Sequence, residues 1–475
     1  MIENIYFFVK KSILLKGIMI GKLNKIFFTP VSPVTLGIFR IGFGLIMIYQ
    51  FFHIQPYFFE TLIHSKYFIK YDFFEWVHLT SEENLHIIFN VAIVASFFFT
   101  IGLFYRFSSF LVFLIWCYLF FTDLGHNNNH YYLIGMFLFF LPFIQANQWG
   151  SVKSFSKNSK LIPAWNYLVF KLLMVVLYFY GAVAKMNKDW LSGYPLKYWL
   201  HGRTSFGETV QQFLDNDYTV LFFSYYGLIF DLLIGFVLFH KKYKYFALIF
   251  LLPFHISNHF LWPIGVFPWF SIFVTVLFFE EELSNLFKYK IIDREVYVQK
   301  NKSLVQWGLV LFLSFQFLFP LRQHLYSGKT NWHGYGEFFA WRMMLTDKQG
   351  AVRIRLYNQD NQYLGEVSMA DYINERQLFK LVYIPKTFIP FCKYIESEIL
   401  ADARNSNITD VKIYVDAFKT INNRPFQRVI DEKIDLTALD YSVIHKAEYI
   451  LPFVDSKIKE GYNTITFDEM LRFMK

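Results

Sequence analysis

Residues 164–185 read AWNYLVFKLLMVVLYFYGAVAK, and Lys171 and Lys185 are the only charged side chains in this run. A helix needs roughly 20 mostly apolar residues to cross a hydrocarbon core about 30 Å thick, so the run is long enough to span a membrane. The whole chain has the same character, because 55% of its 475 residues are hydrophobic and only 17% are charged. Soluble domains are about one quarter charged, so the sequence predicts an integral membrane protein.

Eight further apolar runs flank this segment and give nine candidate membrane spans in all. The nine comprise residues 33–54, 85–104, 107–124, 131–147, 164–185, 219–240, 244–260, 262–280 and 303–320.

The sequence pattern changes after residue 320. AVRIRLY at 351–357 and VKIYVDAF at 411–418 alternate between apolar and polar residues as strands do, whereas 376–401 has helical periodicity. We therefore predict an α-helical polytopic membrane domain of about nine transmembrane helices, followed by an α+β soluble domain on the outer face. The predicted divisions are an N-terminal segment at 1–32 with an amphipathic helix over 5–28, the membrane domain at 33–320 and the α+β domain at 321–475.

Basic residues in the short loops predict the orientation of the chain. Lysines are concentrated in residues 1–32, between the fourth and fifth spans, and between the sixth and seventh spans. Because Lys and Arg accumulate in cytoplasmic loops, the N-terminus is predicted on the cytoplasmic side of the cell membrane and residues 321–475 outside. The net charge of +9 thus reflects topology. No contiguous basic face of the kind that binds nucleic acid is present in the sequence.

Cysteine and motif patterns exclude several classes of site. Cys117 and Cys392 are the only cysteines, they lie in different predicted domains, and no CxxC pair is available to bind a metal. The sequence SGKT at 327–330 ends like a phosphate-binding loop, but Gln323 stands at the position of the first glycine. No metal site and no nucleotide site are therefore predicted.

Charged residues within membrane spans are costly and therefore informative. Arg40, Lys171 and Asp231 lie in the first, fifth and sixth spans. A rise of 1.5 Å per residue places each of them roughly 10–14 Å from the inner end of its span. The common depth predicts a buried, ion-paired cluster of these three residues. The cluster lacks a nucleophile or a base, so its predicted role is to hold helices together.

A second set of polar residues lies at the outer ends of three spans. The set comprises residues 126–130 (HNNNH), Lys185, His255, Asn258 and His259. Taken alone, such a lysine usually extends to the membrane surface, and such a His or Asn is more often a helix cap or a packing hydrogen bond than part of a ligand site. Their convergence on the face that the α+β domain covers favours a functional pocket.

The chemistry of this pocket follows from its residue types. A lysine acts as a base only when burial, away from carboxylates, keeps its amine neutral. His and Asn side chains orient a substrate or stabilise a developing oxyanion. Together with aromatic walls, these groups suit a flat, lipophilic quinol that enters from the bilayer.

Several motifs resemble one known family. The most informative are NNHYYLIG at 128–135 and AVAKMNKDWLSGY at 182–194. Further matches are LGIFRIGFG at 36–44, FH at 254–255 with Asn258, NW at 331–332, and Trp341 with MM at 343–344. The chain resembles the vitamin K-dependent γ-glutamyl carboxylases and their bacterial relatives, which share a horizontally transferred transmembrane (HTTM) domain.

The resemblance implies a reaction. In that family a lysine deprotonates reduced vitamin K, which reacts with O₂ to give a strong base and finally an epoxide. The base removes a proton from a glutamyl side chain, which then captures CO₂. The expected function is a γ-glutamyl carboxylase-like membrane enzyme, a carbon–carbon lyase type. It would use reduced vitamin K or another naphthoquinol with O₂ and CO₂, and act on a peptide or protein glutamate on the outer face.

The resemblance also implies roles for individual residues. Lys185 occupies the position of the base, His130 matches the histidine that assists it, and His255 is a further catalytic residue. The implied cofactor pocket is formed by Asn128, Asn129, Trp190 and Asn258.

Departures from the animal members of the family lie mainly outside these residues. Asn127 stands where they have tryptophan, and Phe104 and Glu398 replace the cysteines of an interdomain disulfide. The loop taken to bind the glutamyl peptide has Tyr, Tyr, His and Arg in the animal enzymes, and here it has Glu337, Phe339, Thr346 and Lys348. The changed loop leaves an alternative open, namely a quinone- or lipid-binding membrane protein of the same fold without carboxylase activity.

Overall fold

The computed structural model describes residues 21–155, 159–201, 207–289, 295–402 and 407–458. Most of the amphipathic helix expected over 5–28 lies outside these residues, and residues 21–28 are helical. The described part of the chain forms a helical bundle followed by a mixed domain of helices and strands.

The bundle is built from helices of very different lengths. The longer ones are α1 Val34–Pro56, α2 Glu82–Ile101, α3 Tyr105–Thr122, α4 Asn129–Phe140, α5 Trp165–Lys185, α6 Asp217–Val237, α7 Lys244–Leu261, α8 Phe267–Val274 and α9 Lys302–Leu318. Short helices lie at Lys188–Leu191, Leu196–Leu200, Glu208–Asp215 and Glu280–Leu286. A two-stranded ribbon of β1 Pro30–Val31 and β2 Ile162–Pro163 joins the start of α1 to the start of α5.

Six helical segments of the described residues are long and apolar enough to cross a membrane. They are Val34–His64, Glu82–Ile101, Tyr105–Thr122, Trp165–Lys185, Asp217–Val237 and Lys302–Leu325. These six coincide with predicted spans, which confirms the helical membrane domain.

The predicted spans at 131–147, 244–260 and 262–280 are not among these six, so the count of nine is not confirmed. Helix α4 has 12 residues and a length of about 18 Å, and α8 has only eight residues. Helix α7 has 18 residues, but polar residues near its end, including His255 and Asn258, lower its mean hydropathy. The backbone before α4 is irregular and buried at 123–126, an arrangement tolerated at membrane depth where protein or a cavity surrounds it.

Large apolar side chains cover the outside of the bundle. Leu45, Phe97, Phe107, Leu233 and Ile249 are each about half exposed or more. Soluble proteins rarely expose apolar surface on this scale, whereas lipid tails solvate it. The side-chain distribution thus agrees with a membrane-embedded bundle.

Arg40 lies in the interior of the bundle with no exposed surface. Its Nη1 donates to the carbonyl oxygens of Phe99 (3.0 Å) and Thr100, and its other nitrogens donate to backbone carbonyls between α4 and α5. The last carbonyls of a helix have no partner within the helix, so the guanidinium satisfies the end of α2. The predicted cluster of Arg40 with Lys171 and Asp231 is therefore wrong, because backbone oxygens rather than a carboxylate compensate Arg40.

The C-terminal domain contains a four-stranded antiparallel sheet in the order β4–β3–β5–β6. The strands are β3 Lys348–Asn358, β4 Tyr363–Glu366, β5 Val411–Ile421 and β6 Gln427–Arg428. The strands predicted at 351–357 and 411–418 pair directly, with Ile354 opposite Val415, and both of these side chains are buried. The predicted α+β character of this domain is confirmed.

Two helices pack on the apolar face of this sheet. They are α10 Glu375–Tyr383 and α11 Phe388–Ala401, where the sequence predicted a single helix over 376–401. Pro385 lacks an N–H group and cannot continue a helix, which explains the break. A capping box formed by Asn374 and Gln377 begins α10.

Polar contacts hold the C-terminal domain against the bundle. They join Asp123 to Gln377, Asp189 to Arg424 and Asp72 to Lys386. The carboxylate of Asp123 is completely buried and also accepts from the backbone N–H groups of Ile69 and Gly125. A buried carboxylate is costly unless it is hydrogen-bonded, so these contacts fix the position of α10 over the bundle.

Candidate active site

Lys185 is the last residue of α5 and is 8% exposed. Its Nζ forms an ion pair with Oδ2 of Asp231 on α6, which is 5% exposed. The Nζ also lies 5.3 Å from the centre of the Trp190 ring. The expectation that the amine lies away from carboxylates is therefore wrong, because Lys185 and Asp231 form a buried pair.

The position of Asp231 follows from a displacement of α6 along α5. Helix α6 starts far beyond the end of α5, and its first half packs against the short helices Lys188–Leu191 and Leu196–Leu200. Asp231 is consequently level with the last turn of α5, where a Cβ added at Gly181 would lie 2.9 Å from Oδ2 of Asp231. The depth count from sequence placed the ends of both helices at one level and so put Asp231 in the wrong cluster.

Lys171 has its own carboxylate partner. Its Nζ pairs with Oε2 of Glu280, the first residue of the short helix Glu280–Leu286. The Nζ also lies 5.6 Å from the ring centre of Tyr167. The charges that the sequence grouped together are thus separated into one carbonyl-bound guanidinium and two distinct ion pairs.

A cavity of about 930 Å³ lies between the bundle and the C-terminal domain. The predicted site residues that line it are Lys185, residues 126–130, Trp190, His255 and Asn258. Its aromatic walls include Tyr178, Trp199, Phe223, Tyr226, Phe254 and Phe267. The C-terminal domain contributes Arg342, Met343, Met344, Arg376, Phe379 and Lys380. His259 does not line the cavity, and its ring packs instead on Trp269 at 5.0 Å.

The histidines of the cavity differ in their hydrogen bonding. His255 is fully buried, its Nε2 lies 2.9 Å from the hydroxyl of Tyr178, and its Nδ1 has no partner. His126 stacks on Tyr57 at 5.0 Å and neither of its ring nitrogens has a partner. His130 packs its ring against Phe267 at 5.9 Å. Within the described residues these three nitrogens have no hydrogen-bond partner, but they also have almost no accessible surface, whereas His130 is only partly buried on the cavity wall.

The four asparagines all line the cavity, and two of them also make structural hydrogen bonds. The Nδ2 atom of Asn127 donates to the hydroxyl of Tyr71 (2.8 Å), and that of Asn129 donates to the carbonyl oxygen of Arg342 (3.0 Å). Both bonds connect the loop before α4 to its surroundings. Asn128 and Asn258 line the cavity.

Trp190 is held from both sides. Its Nε1 donates to the carbonyl oxygen of Ser224 at 2.9 Å, and Asn187 caps the short helix that carries it. The neighbouring Asp189 accepts two hydrogen bonds from Arg424, at 2.7 and 2.8 Å. The C-terminal domain therefore positions the indole that covers Lys185.

Sequence reasoning missed three kinds of residue at this site. It did not pair Asp231 with Lys185, it gave no role to Tyr178, and it did not include Arg342 or Lys380 from the C-terminal domain. The pairing of Asp231 with Lys185 could have been predicted, because the two residues place opposite charges on consecutive spans. Nothing in the sequence indicated that α10 would reach the cavity.

The fold defines a polytopic membrane protein with a cavity between its helical bundle and its C-terminal α+β domain. Residues 28–282 match the model of the HTTM domain family, and residues 301–456 match that of the vitamin K-dependent gamma-carboxylase lumenal domain. The chain belongs to this carboxylase-like family of membrane proteins, as its motifs indicated. No solved structure gave a significant match to the chain.

Proposed function

We propose that this protein is a vitamin K (quinol)-dependent γ-glutamyl carboxylase-like enzyme. The observation that carries the proposal is the buried pair of Lys185 and Asp231 on the wall of an aromatic cavity that both domains line. A lysine paired with a carboxylate on the wall of a cavity is placed to exchange a proton with a bound molecule.

The cavity fits the head group of a naphthoquinol. Its volume of about 930 Å³ lies within the range of small-molecule sites, and several aromatic side chains line it. The side chains of Asn128, His130 and Asn258, which are not fully buried, lie on its wall and would offer hydrogen bonds to quinol oxygens. Trp190 adds a flat surface beside Lys185.

Lys185 and Asp231 would act together as the acceptor of the quinol proton. If the proton of the ion pair moves from Nζ of Lys185 to Oδ2 of Asp231, Lys185 becomes a neutral amine. The amine then takes the proton of the quinol hydroxyl and becomes an ammonium ion that balances the charge of the deprotonated oxygen. His255, held by Tyr178, would orient that oxygen.

The second half of the reaction uses the substrate on the side of the C-terminal domain. A quinol held beside Lys185 would supply, with O₂, the strong base needed to remove a proton from the carbon next to the substrate carboxylate. The electron pair of that C–H bond forms a C–C bond to CO₂, and an electron pair of CO₂ moves to oxygen to give a second carboxylate.

The purified protein should therefore consume O₂ when it receives a reduced naphthoquinone, form the quinone epoxide, and fix labelled CO₂ into a glutamate-containing peptide. Oxygen consumption and epoxide are measured first without peptide, and incorporation of label with it. Absence of turnover with every reduced naphthoquinone tested would contradict the proposal.

One observation favours a second candidate function. In the loop that differs from the animal enzymes, Glu337 pairs with Lys348 and compensates its charge. A protein that only binds a quinone or lipid would not need that loop to bind a glutamyl substrate. Tight co-purification of a quinone, without oxygen consumption and with equal occupancy in Lys185→Met, would identify this function instead.

We also propose that the C-terminal domain lies outside the cytoplasm, because lysines are concentrated in 1–32 and in the loops that precede α5 and α7. Reporter fusions at residue 400 should be active only on the outer side, and fusions at residue 155 only on the inner side. Both reporters on one side would contradict this orientation.

A further inference from the structure

The segment that leads from the first candidate span to α2 carries two large aromatic side chains with most of their surface exposed. In this α1–α2 segment, residues 65–80, Phe73 and Trp76 are each 72% exposed. The backbone of Phe73 is also in the left-handed region, with a φ of 68°. A bulky residue is disfavoured there and persists only where the surrounding structure holds it. The segment therefore carries a strained backbone at the point where it exposes an aromatic ring.

Contacts with α3 fix the height of both rings along the bundle. The ring of Phe74 stacks on that of Phe121, near the end of α3, with 3.9 Å between their centres. The centre of the same Phe74 ring lies 6.3 Å from that of Trp76. The N–H of Thr80 donates at 2.9 Å to the hydroxyl of Tyr118, which lies one turn earlier on α3. The exposed rings are therefore level with the end of α3 and the start of α2, where two candidate spans leave the membrane.

The two rings lie at the end of a surface of α2 and α3 that faces lipid. Exposed apolar side chains recur on both helices at intervals of three or four residues, as they do along one face of a helix. They are Ile87, Val91, Val94 and Phe97 on α2, and Phe107, Phe110 and Leu114 on α3. Lipid tails solvate such a surface, and Phe73 and Trp76 lie where it reaches the membrane boundary. The occupant that fits the two rings is therefore the bilayer that covers the helices beside them.

The inner side of the α1–α2 segment holds the loop before α4, which forms part of the cavity wall. The N–H of Ile69 donates to Oδ2 of Asp123 at 2.9 Å, and the carbonyl oxygen of Ile69 accepts from the N–H of Leu124 at 2.8 Å. The hydroxyl of Tyr71 accepts from Nδ2 of Asn127 at 2.8 Å, and Asn127 lines the cavity. A contact that fixes the α1–α2 segment therefore also fixes this part of the cavity wall.

We propose that Phe73 and Trp76 insert into the bilayer boundary on the side of the C-terminal domain, and that the surrounding phospholipid holds the α1–α2 segment against the cavity wall. Trp suits this boundary because its ring is apolar while its N–H can bond to a head-group oxygen. Burial of both rings among lipids offsets the strained backbone at Phe73. The inference goes beyond the proposed function, because the contact with lipid does not depend on which reaction the cavity carries out.

Fluorescence of the full chain in phosphatidylcholine vesicles tests the insertion. Bromine atoms on the lipid quench tryptophan on contact, and they are placed either next to the head group or deep in the acyl chains. The emission of Trp76 is the difference between the wild type and Trp76→Phe. This emission should lose more intensity with the shallow bromine than with the deep bromine.

Trp332→Phe is the matched control for the fluorescence experiment. Trp332 is 2% exposed within the C-terminal domain, so the corresponding difference in emission should respond to bromine at neither depth. A Trp76 signal that shallow bromine leaves unchanged, or that deep bromine quenches as strongly, would overturn the insertion.

Hydrogen exchange of the full chain in the same vesicles tests the support of the cavity wall. In the double variant Phe73→Ser with Trp76→Ser, the N–H groups of Ile69 and Leu124 should exchange at least about 10-fold faster than in the wild type, because local opening becomes easier. The control is Tyr363→Ser, which removes a ring that is 55% exposed on the edge strand β4 and should leave both rates unchanged. Equal rates in the wild type and the double variant would show that lipid contact does not support the cavity wall.

Discussion

Replacement of Lys185 by methionine should lower the rate of quinol-dependent O₂ consumption between about 100-fold and 10,000-fold, the range found for the loss of a general base. Methionine keeps an unbranched side chain of similar length and removes only the group that accepts the proton. The oxygen electrode measures the rate, and the epoxide is quantified by chromatography per folded molecule.

Lys171→Met is the matched control for this experiment. Lys171 lies on the same helix, is buried to the same degree and is also paired with a carboxylate, that of Glu280. It does not line the cavity. Its replacement should leave the rate per folded molecule within about a factor of two of the wild type, since a side chain remote from the reacting atoms makes no contact that strengthens in the transition state. Equal losses in both variants would mean that Lys185 acts through stability and not as the base.

Much of the helical architecture was predictable from local sequence. Residues 164–185 and 219–240 are apolar over the required length, and they form α5 and α6 within a few residues of the predicted ends. Strands β3 and β5 were predictable because alternating apolar residues such as Ile354 and Ile413 face one buried side. These signals are local, so they do not depend on how the helices are arranged.

The partners of the charged residues were not predictable, because they depend on how far each helix is shifted along its neighbours. A depth count treats all spans as starting at a common plane, whereas α6 extends past α5 by the length of the short helices that follow Lys185. A carboxylate partner was predicted for Arg40 because the sequence does not show that the free carbonyl groups at the end of α2 lie beside it. Helix α10 forms part of the cavity wall, and its position depends on the contact between Asp123 and Gln377. These two residues are more than 250 positions apart, so local sequence does not predict the contact.

The stability of the Lys185–Asp231 pair leads to the last prediction. Asp231→Leu should lower the melting temperature of the protein, and Lys185→Met should do so as well. Each single change leaves one buried charge without its partner, which typically costs about 3–5 kcal/mol. The doubly substituted protein, Lys185→Met with Asp231→Leu, contains neither charge and should melt above both single variants, near the wild type.

The order of the four melting temperatures tests whether Lys185 and Asp231 pair with each other. If Asp231 paired with a different cation, the two changes would add, and the double variant would be the least stable of the four. All three variants should lack quinol oxidation, because each removes a member of the pair that receives the proton. Recovered stability without recovered activity in the double variant would show that the ion pair is retained for proton transfer and not for folding, since apolar side chains of similar volume fill the same space.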